Sequence, residues 1–127
     1  MQERHLYEYA VIRVVPRVER EEFINVGVIL FCKRRRFIKM LFEIDGQKLS
    51  ILSPDTDLQD LFLNLESFQR IAHGAKNGGP IALLETAERF RWLTAVRSSV
   101  IQTSRPHPGL CVDPDEKARQ LFTELVL

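Results

Sequence analysis

Three segments within the first 44 residues have patterns of apolar and polar positions that are typical of β-strands. YEYAVIRVV, residues 7–15, is rich in β-branched and aromatic side chains. FINVGVILFC, residues 23–32, has an entirely apolar even-numbered side, whereas its odd-numbered side includes Asn25 and Gly27. FIKMLFEI, residues 37–44, alternates clearly. These three segments predict three strands in an antiparallel meander.

The rest of the chain changes mainly to a helical period. Apolar residues between 58 and 72 recur at helical spacing, and Ser53-Pro54-Asp55 favours a helix start. Asp45-Gly46 indicates a turn before it. The later predicted elements are a helix over much of 81–95, a strand over 98–104, a loop at PHPGL and a helix from Asp113. This order, β-β-β-α-α-β-α, predicts a single α+β domain over residues 1–127, with a mainly antiparallel sheet of about four strands and helices packed on one face.

The odd-numbered side of the second predicted strand is the first candidate for a binding surface. If the apolar even side packs against the helices, the odd side faces solvent, a partner or a shallow concavity. Gly27 leaves a gap there that another backbone or a ligand could approach, and Asn25 adds a donor and an acceptor. Arg13, on the neighbouring strand, is a candidate for the same face. The alternative is structural: Gly27 marks a β-bulge and Asn25 satisfies local backbone groups.

Composition and charge narrow the classes of function. With 127 residues, 45% apolar and 28% charged, the chain is expected to form one globular domain. The net charge of +1 provides no overall field that would draw it to nucleic acid or to an anionic membrane. No apolar run approaches the roughly 20 residues that a membrane span needs, and the charged N-terminus does not resemble a signal peptide. Two distant cysteines, Cys32 and Cys111, indicate free thiols and a cytoplasmic location.

Motifs for metal, cofactor or nucleophilic chemistry are not found, so no metal and no cofactor are predicted. The three histidines are isolated, and the chain has no G-x-S-x-G, Walker or G-x-G-x-x-G motif. The acidic group that ends at Glu22 could hold a divalent cation together with Asn25, but a surface connection is favoured. The basic run Lys33–Arg36 could bind phosphate or an acidic partner; a solvated turn that protects the sheet is favoured.

The densest cluster of polar functional groups lies between residues 90 and 109. Arg97, Ser98 and Ser99 stand where a predicted helix ends and a strand begins, and Arg105 and His107 follow that strand. A guanidinium and two hydroxyls there could grip an anion or a carboxylate. Equally, the serines could satisfy backbone groups while Arg97 caps the last carbonyls of the helix. This cluster is the best candidate site in the sequence.

Several stretches together resemble one bacterial family, the domain-of-unknown-function family numbered 3037. They are YEYAVIRVVP, EEFINVGVILF, RFRWLTAVRSSVIQTS and the late PHPGL, followed by DP and LF. The chain departs from the family pattern at Val96, where the pattern has a proline. The resemblance implies a small bacterial protein without an established activity, whose gene neighbours often encode HipA-like kinases. The signature positions carried over to this chain are Glu22, Asn25, Gly27, Arg97, Ser98 and Ser99.

Three hypotheses of function follow. The first is a non-catalytic accessory or protein-binding module, with a HipA-like kinase as the implied partner, which uses the odd face of the second strand and the Arg97 corner. The second is an enzyme or binding protein for a phosphorylated or nucleic-acid ligand. In it Arg97, Arg105 and the Lys33–Arg36 turn hold phosphate, and Glu22 or His107 acts as the base. The third is a homodimer that buries the odd strand face.

Overall fold

One antiparallel sheet organises the fold. The computed structural model describes residues 3–97 and 99–127. Within these residues the sheet has five strands: β1 (His5–Val14), β2 (Ile24–Cys32), β3 (Phe37–Phe42), β4 (Ile101–Thr103) and β5 (His107–Cys111). The strand order is β3-β2-β1-β4, and β5 pairs with β1 farther along the same edge as β4. The predicted meander of the first three strands is confirmed.

In the described part of the chain, four α-helices complete an α+β domain: α1 (Gly46–Leu52), α2 (Leu58–Ala72), α3 (Thr86–Leu93) and α4 (Pro114–Leu125). Short 3₁₀ turns span Val18–Arg20 and Pro80–Leu83. None of the helices in the described ranges is both long enough and apolar enough to span a bilayer. The α+β class, the antiparallel sheet and the broad order of elements are confirmed.

Several predicted boundaries were wrong for local reasons. The Asp45-Gly46 turn is instead the start of α1, because the Asp45 carboxylate accepts hydrogen bonds from the backbone N–H groups of Gln47 and Lys48. Ser53 therefore follows the end of α1, and Asp57 is the cap of α2. The predicted loop at PHPGL is largely a strand, since β5 pairs with the first half of β1.

Helices cover both faces of the sheet, so the predicted one-sided arrangement is wrong. One face, which includes Ala10, Ile29 and Met40, packs against α1, α2 and α3. The opposite face, which includes Val28 and Leu30, packs against α4. A strand covered on both sides is apolar on both sides, and β2 is buried from Val26 to its end. The odd side of β2 is therefore not free for a partner, and a homodimer cannot bury it.

A β-bulge separates the two unusual residues of β2. The pairing with β1 passes from Ile12–Gly27 directly to Arg13–Asn25 and leaves Val26 without a partner. Gly27 consequently lies on the α2 face, whereas Asn25 lies on the α4 face. A Cβ atom on Gly27 would lie 2.5 Å from the carbonyl oxygen of Leu41 in β3. The structural interpretation of Gly27 is confirmed: it lies beside a β-bulge, and a neighbouring backbone fills the gap that its missing side chain leaves.

The middle of the outer edge of β3 is bound by the end of α2. Met40 donates its backbone N–H to Nε2 of His73 at 3.1 Å, and the Gln69 amide donates to the Met40 carbonyl at 3.0 Å. Both backbone groups of Met40 that face away from β2 are thus satisfied by one helix. The bond requires His73 to be neutral, because Nε2 must accept the hydrogen bond.

Acidification is expected to weaken this contact and to destabilise the fold. Burial lowers the pKa of His73 below its usual 6.5, and the positive charges of Lys39 and Arg89 lower it further. The unfolded chain then binds a proton more readily than the folded one, so the stability that His73 contributes is complete above about pH 6.5 and falls below that pH. Urea unfolding measured between about pH 7.5 and pH 5 would reveal the loss.

The matched control for this prediction is His73→Gln. The glutamine side chain can accept the same hydrogen bond through its amide oxygen and does not titrate. As the pH falls, the unfolding free energy of the original protein should therefore decrease more than that of the His73→Gln variant. Parallel pH profiles for the two proteins would contradict the assigned role of His73.

Candidate functional site

A cavity with a volume of about 700 Å³ lies beside β4. We call it the β4 cleft. It is bounded by β4, the chain just after β1, the segment that precedes α2, one side of α2 and the end of α3. Its apolar lining includes Leu61, Phe68 and Ile71 from α2, Trp92 from α3 and Ile101 from β4. A concave apolar surface of this size, with a few polar groups, is typical of a binding site.

Arg97 lies in the wall of this cleft and is held by aromatic rings. Its guanidinium carbon is 4.9 Å from the ring centroid of Trp92 and 5.2 Å from that of Phe68. Nη2 also donates a hydrogen bond to the Trp92 carbonyl, near the end of α3. Burial lowers the pKa of Arg97, but an arginine side chain remains charged. Arg97 therefore caps the helix, as one sequence interpretation proposed, and presents a fixed positive charge to the cleft.

Ser99 is the second predicted site residue that lines the cleft. Its hydroxyl donates to the carbonyl of Ile101 at 2.7 Å, so it satisfies a local backbone group at the start of β4. Ser98, the third member of the predicted Arg-Ser-Ser corner, lies outside the described residues. Two of the predicted site residues, Arg97 and Ser99, thus line the β4 cleft.

The amino-terminal end of α2 brings three carboxylates to the same cleft, from Asp55, Asp57 and Asp60. Asp57 caps the helix by accepting a hydrogen bond from the backbone N–H of Asp60 at 3.1 Å. None of the three forms an ion pair within residues 3–97 and 99–127. Arg17, from the segment after β1, also lines the cleft. No group of three metal-ligating side chains occurs in these ranges.

Arg13 and Asn25 lie on the other face of the sheet, beneath α4. They are cross-strand partners at the bulge. The guanidinium of Arg13 stacks 4.1 Å from the ring centroid of Phe23, and the Asn25 amide donates to the carbonyl of Leu125 at 3.2 Å. Asn25 thus fastens the end of α4 to β2. These two predicted site residues do not meet Arg97.

Glu22 is close to the cleft but lies outside its lining. It pairs with Arg20 and lines two smaller cavities, of about 110 and 600 Å³. The smaller of these shares Pro16, Arg17 and Ser53 with the β4 cleft. Glu22 is therefore a neighbour of the cleft, without a described contact to Arg97.

The remaining basic candidates are dispersed. His107 is exposed and packs on Tyr9, with the two ring centroids 5.3 Å apart. Arg105 is exposed in the link between β4 and β5. The Lys33–Arg36 turn joins β2 to β3 at the opposite end of the sheet from the cleft, and Arg34 pairs there with Glu3 at 3.1 Å. The convergence of phosphate-binding groups and a base that the enzyme hypothesis requires is absent among the described residues.

Sequence reasoning missed Trp92 and the α2 carboxylates as parts of a site. Trp92 lies within the predicted helix over 81–95, and the aspartates lie around the predicted helix start at Ser53-Pro54-Asp55. Helix periodicity and capping explain each of them without a ligand. Only the packing of α2 and α3 beside β4 brings them together.

Comparison with protein families gives a match over most of the chain. The model of the family described as "Protein of unknown function (DUF3037)" matches residues 9–126. The chain belongs to this family. The resemblance seen in the sequence is confirmed, and the matched range of the family includes every strand but the start of β1, as well as all four helices. Neither the curated proteins nor the solved structures gave a match.

Proposed function

We propose that this member of the family is a non-catalytic protein-binding module whose β4 cleft receives a segment of a partner protein. The observation that carries the proposal is the cleft itself: about 700 Å³, with an aromatic and aliphatic floor and charged groups at its rim. Tryptophan and arginine dominate the binding energy of many protein interfaces. Trp92, which is 39% exposed, and Arg97 lie in contact here.

The side chains of the cleft are already fixed before a partner binds, which supports the same function. Arg97 is already fixed by two rings and a backbone carbonyl, so little side-chain entropy is lost when a partner docks against it. Burial of the exposed part of Trp92 and of the apolar floor supplies the hydrophobic gain. The carboxylates and arginines at the rim then select a partner of complementary charge.

The family resemblance makes a HipA-like kinase the first partner to test. The proposed location of this interaction is the bacterial cytoplasm. The two full-length proteins, co-expressed and co-purified, are expected to form a complex whose affinity is measured by titration calorimetry. Trp92→Ala should weaken it by at least about tenfold, since truncation of an interface tryptophan commonly costs 2 kcal/mol or more. Thermal unfolding of the variant verifies that it is folded.

The matched control is Leu83→Ala, which removes an exposed apolar side chain outside the cleft. Its affinity should stay within about twofold of the original protein. A complex that tolerates Trp92→Ala would reject the cleft as the contact surface. Absence of binding at micromolar concentration, with both proteins folded, would reject the kinase.

A further inference from the structure

We infer that the β4 cleft binds its partner as an added β-strand: an extended segment pairs with the open edge of β4 and inserts alternate apolar and basic side chains into the cleft. This inference rests on the proposed function and specifies its mode and its partner chemistry. Addition of a strand to a sheet edge is a recurrent way to bind peptides, since backbone bonds give affinity and alternate pockets give specificity.

The hydrogen bonds between β1 and β4 establish which backbone groups point outward. Val15 donates to the carbonyl of Val100 at 2.7 Å, and Ser104 donates to the carbonyl of Val11 at 2.8 Å. In an antiparallel ladder with this pairing, Gln102 turns its backbone groups toward β1. Ile101 and Thr103, which flank Gln102, must therefore turn their backbone groups away from β1.

Three of these outward groups have no hydrogen-bond partner in the part of the chain that the structure describes. The carbonyl of Ile101 accepts the Ser99 hydroxyl. Over residues 3–97 and 99–127, no hydrogen bond reaches the N–H of Ile101 or the N–H and carbonyl of Thr103. Three free groups spaced along one edge can bind the backbone of an extended segment.

The other outer edges of the sheet carry features that hinder strand pairing. At the outer edge of β3, Gln69 of α2 and the residue that follows the helix, His73, occupy both backbone groups of Met40 in the middle of the strand. The β5 strand contains Pro108, which has no N–H to offer and is typical of an edge that resists pairing. Within the described ranges, β4 is the edge strand that combines free backbone groups with an adjacent cavity.

Side-chain alternation connects this edge to the cleft. Ile101 is buried in the same cluster as its cross-strand partner Val14, on the face covered by α2 and α3, and it lines the cleft. A strand added beside β4 would point every second side chain toward that face, with successive ones about 7 Å apart. The first of these partner side chains meets the apolar floor formed by Phe68 and Trp92. The next partner side chain on the same face can reach the amino-terminal end of α2.

The charges of the lining indicate that the second side chain is basic. Three carboxylates line the cleft, at Asp55, Asp57 and Asp60, and none of them has an ion-pair partner among the described residues. Of the two arginines, Arg97 is engaged by two rings and a carbonyl. A lysine or arginine of the partner would therefore find unpaired acids at the α2 end.

A phage-displayed library of random peptides, selected on the full chain, tests the inference. The selected peptides should carry apolar residues at alternate positions together with a lysine or arginine. Synthetic versions should lose more than tenfold in affinity when alternate backbone nitrogens are methylated, and little at the positions between. Failure to select any peptide, or selection of acidic peptides, would overturn the inference.

Asp60→Asn tests the charge, because Asp60 gives its backbone N–H, and not its carboxylate, to the helix cap. The variant should bind the basic peptides about fivefold more weakly. Matched peptides with norleucine in place of lysine should bind both proteins equally. Equal binding of the basic peptides to both proteins would overturn the assignment of a basic side chain to the α2 end.

The outcomes also separate this inference from the proposed function. Peptides that lose affinity for Trp92→Ala but tolerate methylation at every backbone nitrogen would preserve a cleft-binding module and overturn the added strand. If the affinity of the peptides were unchanged both by Trp92→Ala and by methylation, the proposed function and the added strand would both be contradicted.

Discussion

Gly27→Ala is expected to destabilise the domain by about 3 kcal/mol, although it adds a single methyl group. The new Cβ atom would lie 2.5 Å from the carbonyl oxygen of Leu41 and 3.0 Å from the Cβ atom of Phe42. Both contacts involve the paired strand β3, whose backbone cannot move without disturbing its hydrogen bonds to β2. Urea unfolding should show a lower midpoint, and the melting temperature should fall by about 10 °C.

Gly46→Ala is the matched control for this variant. Gly46 is the first residue of α1, and a Cβ atom there would meet only the flexible end of the Leu58 side chain, at 3.3 Å. Alanine is also a better helix former than glycine, so this variant should be neutral or slightly stabilising. A Gly27→Ala protein as stable as the Gly46→Ala protein would contradict the close approach of β3 to Gly27.

Leu30→Ala and Phe31→Ala are both expected to be severely destabilising, by about 3 to 5 kcal/mol each. The two side chains are neighbours in β2 and are 0% and 6% exposed, but they point to opposite faces of the sheet. Leu30 packs in the cluster beneath α4. Phe31 stacks on Phe90 of α3, with the ring centroids 5.2 Å apart. Each truncation leaves a cavity under a different helical layer.

Leu6→Ala provides the control, because Leu6 lies in β1 and is 63% exposed. Its loss should change the unfolding free energy by less than about 0.5 kcal/mol. The pair of β2 variants decides between two architectures. If Phe31→Ala were no more destabilising than Leu6→Ala, only one face of β2 would be covered. The description of helices on both faces of the sheet would then be wrong.

The elements that could be predicted from the sequence are those with a strong local period. The strands β1 to β3 and the body of α2 follow directly from apolar spacing. The number of helical layers could not be predicted in this way, because β2 is apolar on both sides and the pattern does not say what covers each side. The bulge at Val26 was a second obstacle, since it moves Asn25 to the opposite face from Gly27.

The candidate site was predictable only in part. Arg97 and Ser99 were identified because polar groups cluster where a helix gives way to a strand. Trp92 and Asp60 are 32 positions apart in the sequence and meet only through the packing of α2 and α3 beside β4. Arg13 and Asn25 were chosen from a face that was assumed to be open, and α4 covers it.

The bulge changes how the family signature around residue 25 should be understood. Asn25 contacts the carbonyl of Leu125 at the close of the chain, whereas Gly27 accommodates the backbone of an adjoining strand. Two signature positions separated by one residue therefore serve unrelated constraints on opposite sides of the molecule. A relative that lacked one of these two residues would still need the other. The pair is therefore better understood as two independent structural requirements than as a single recognition motif.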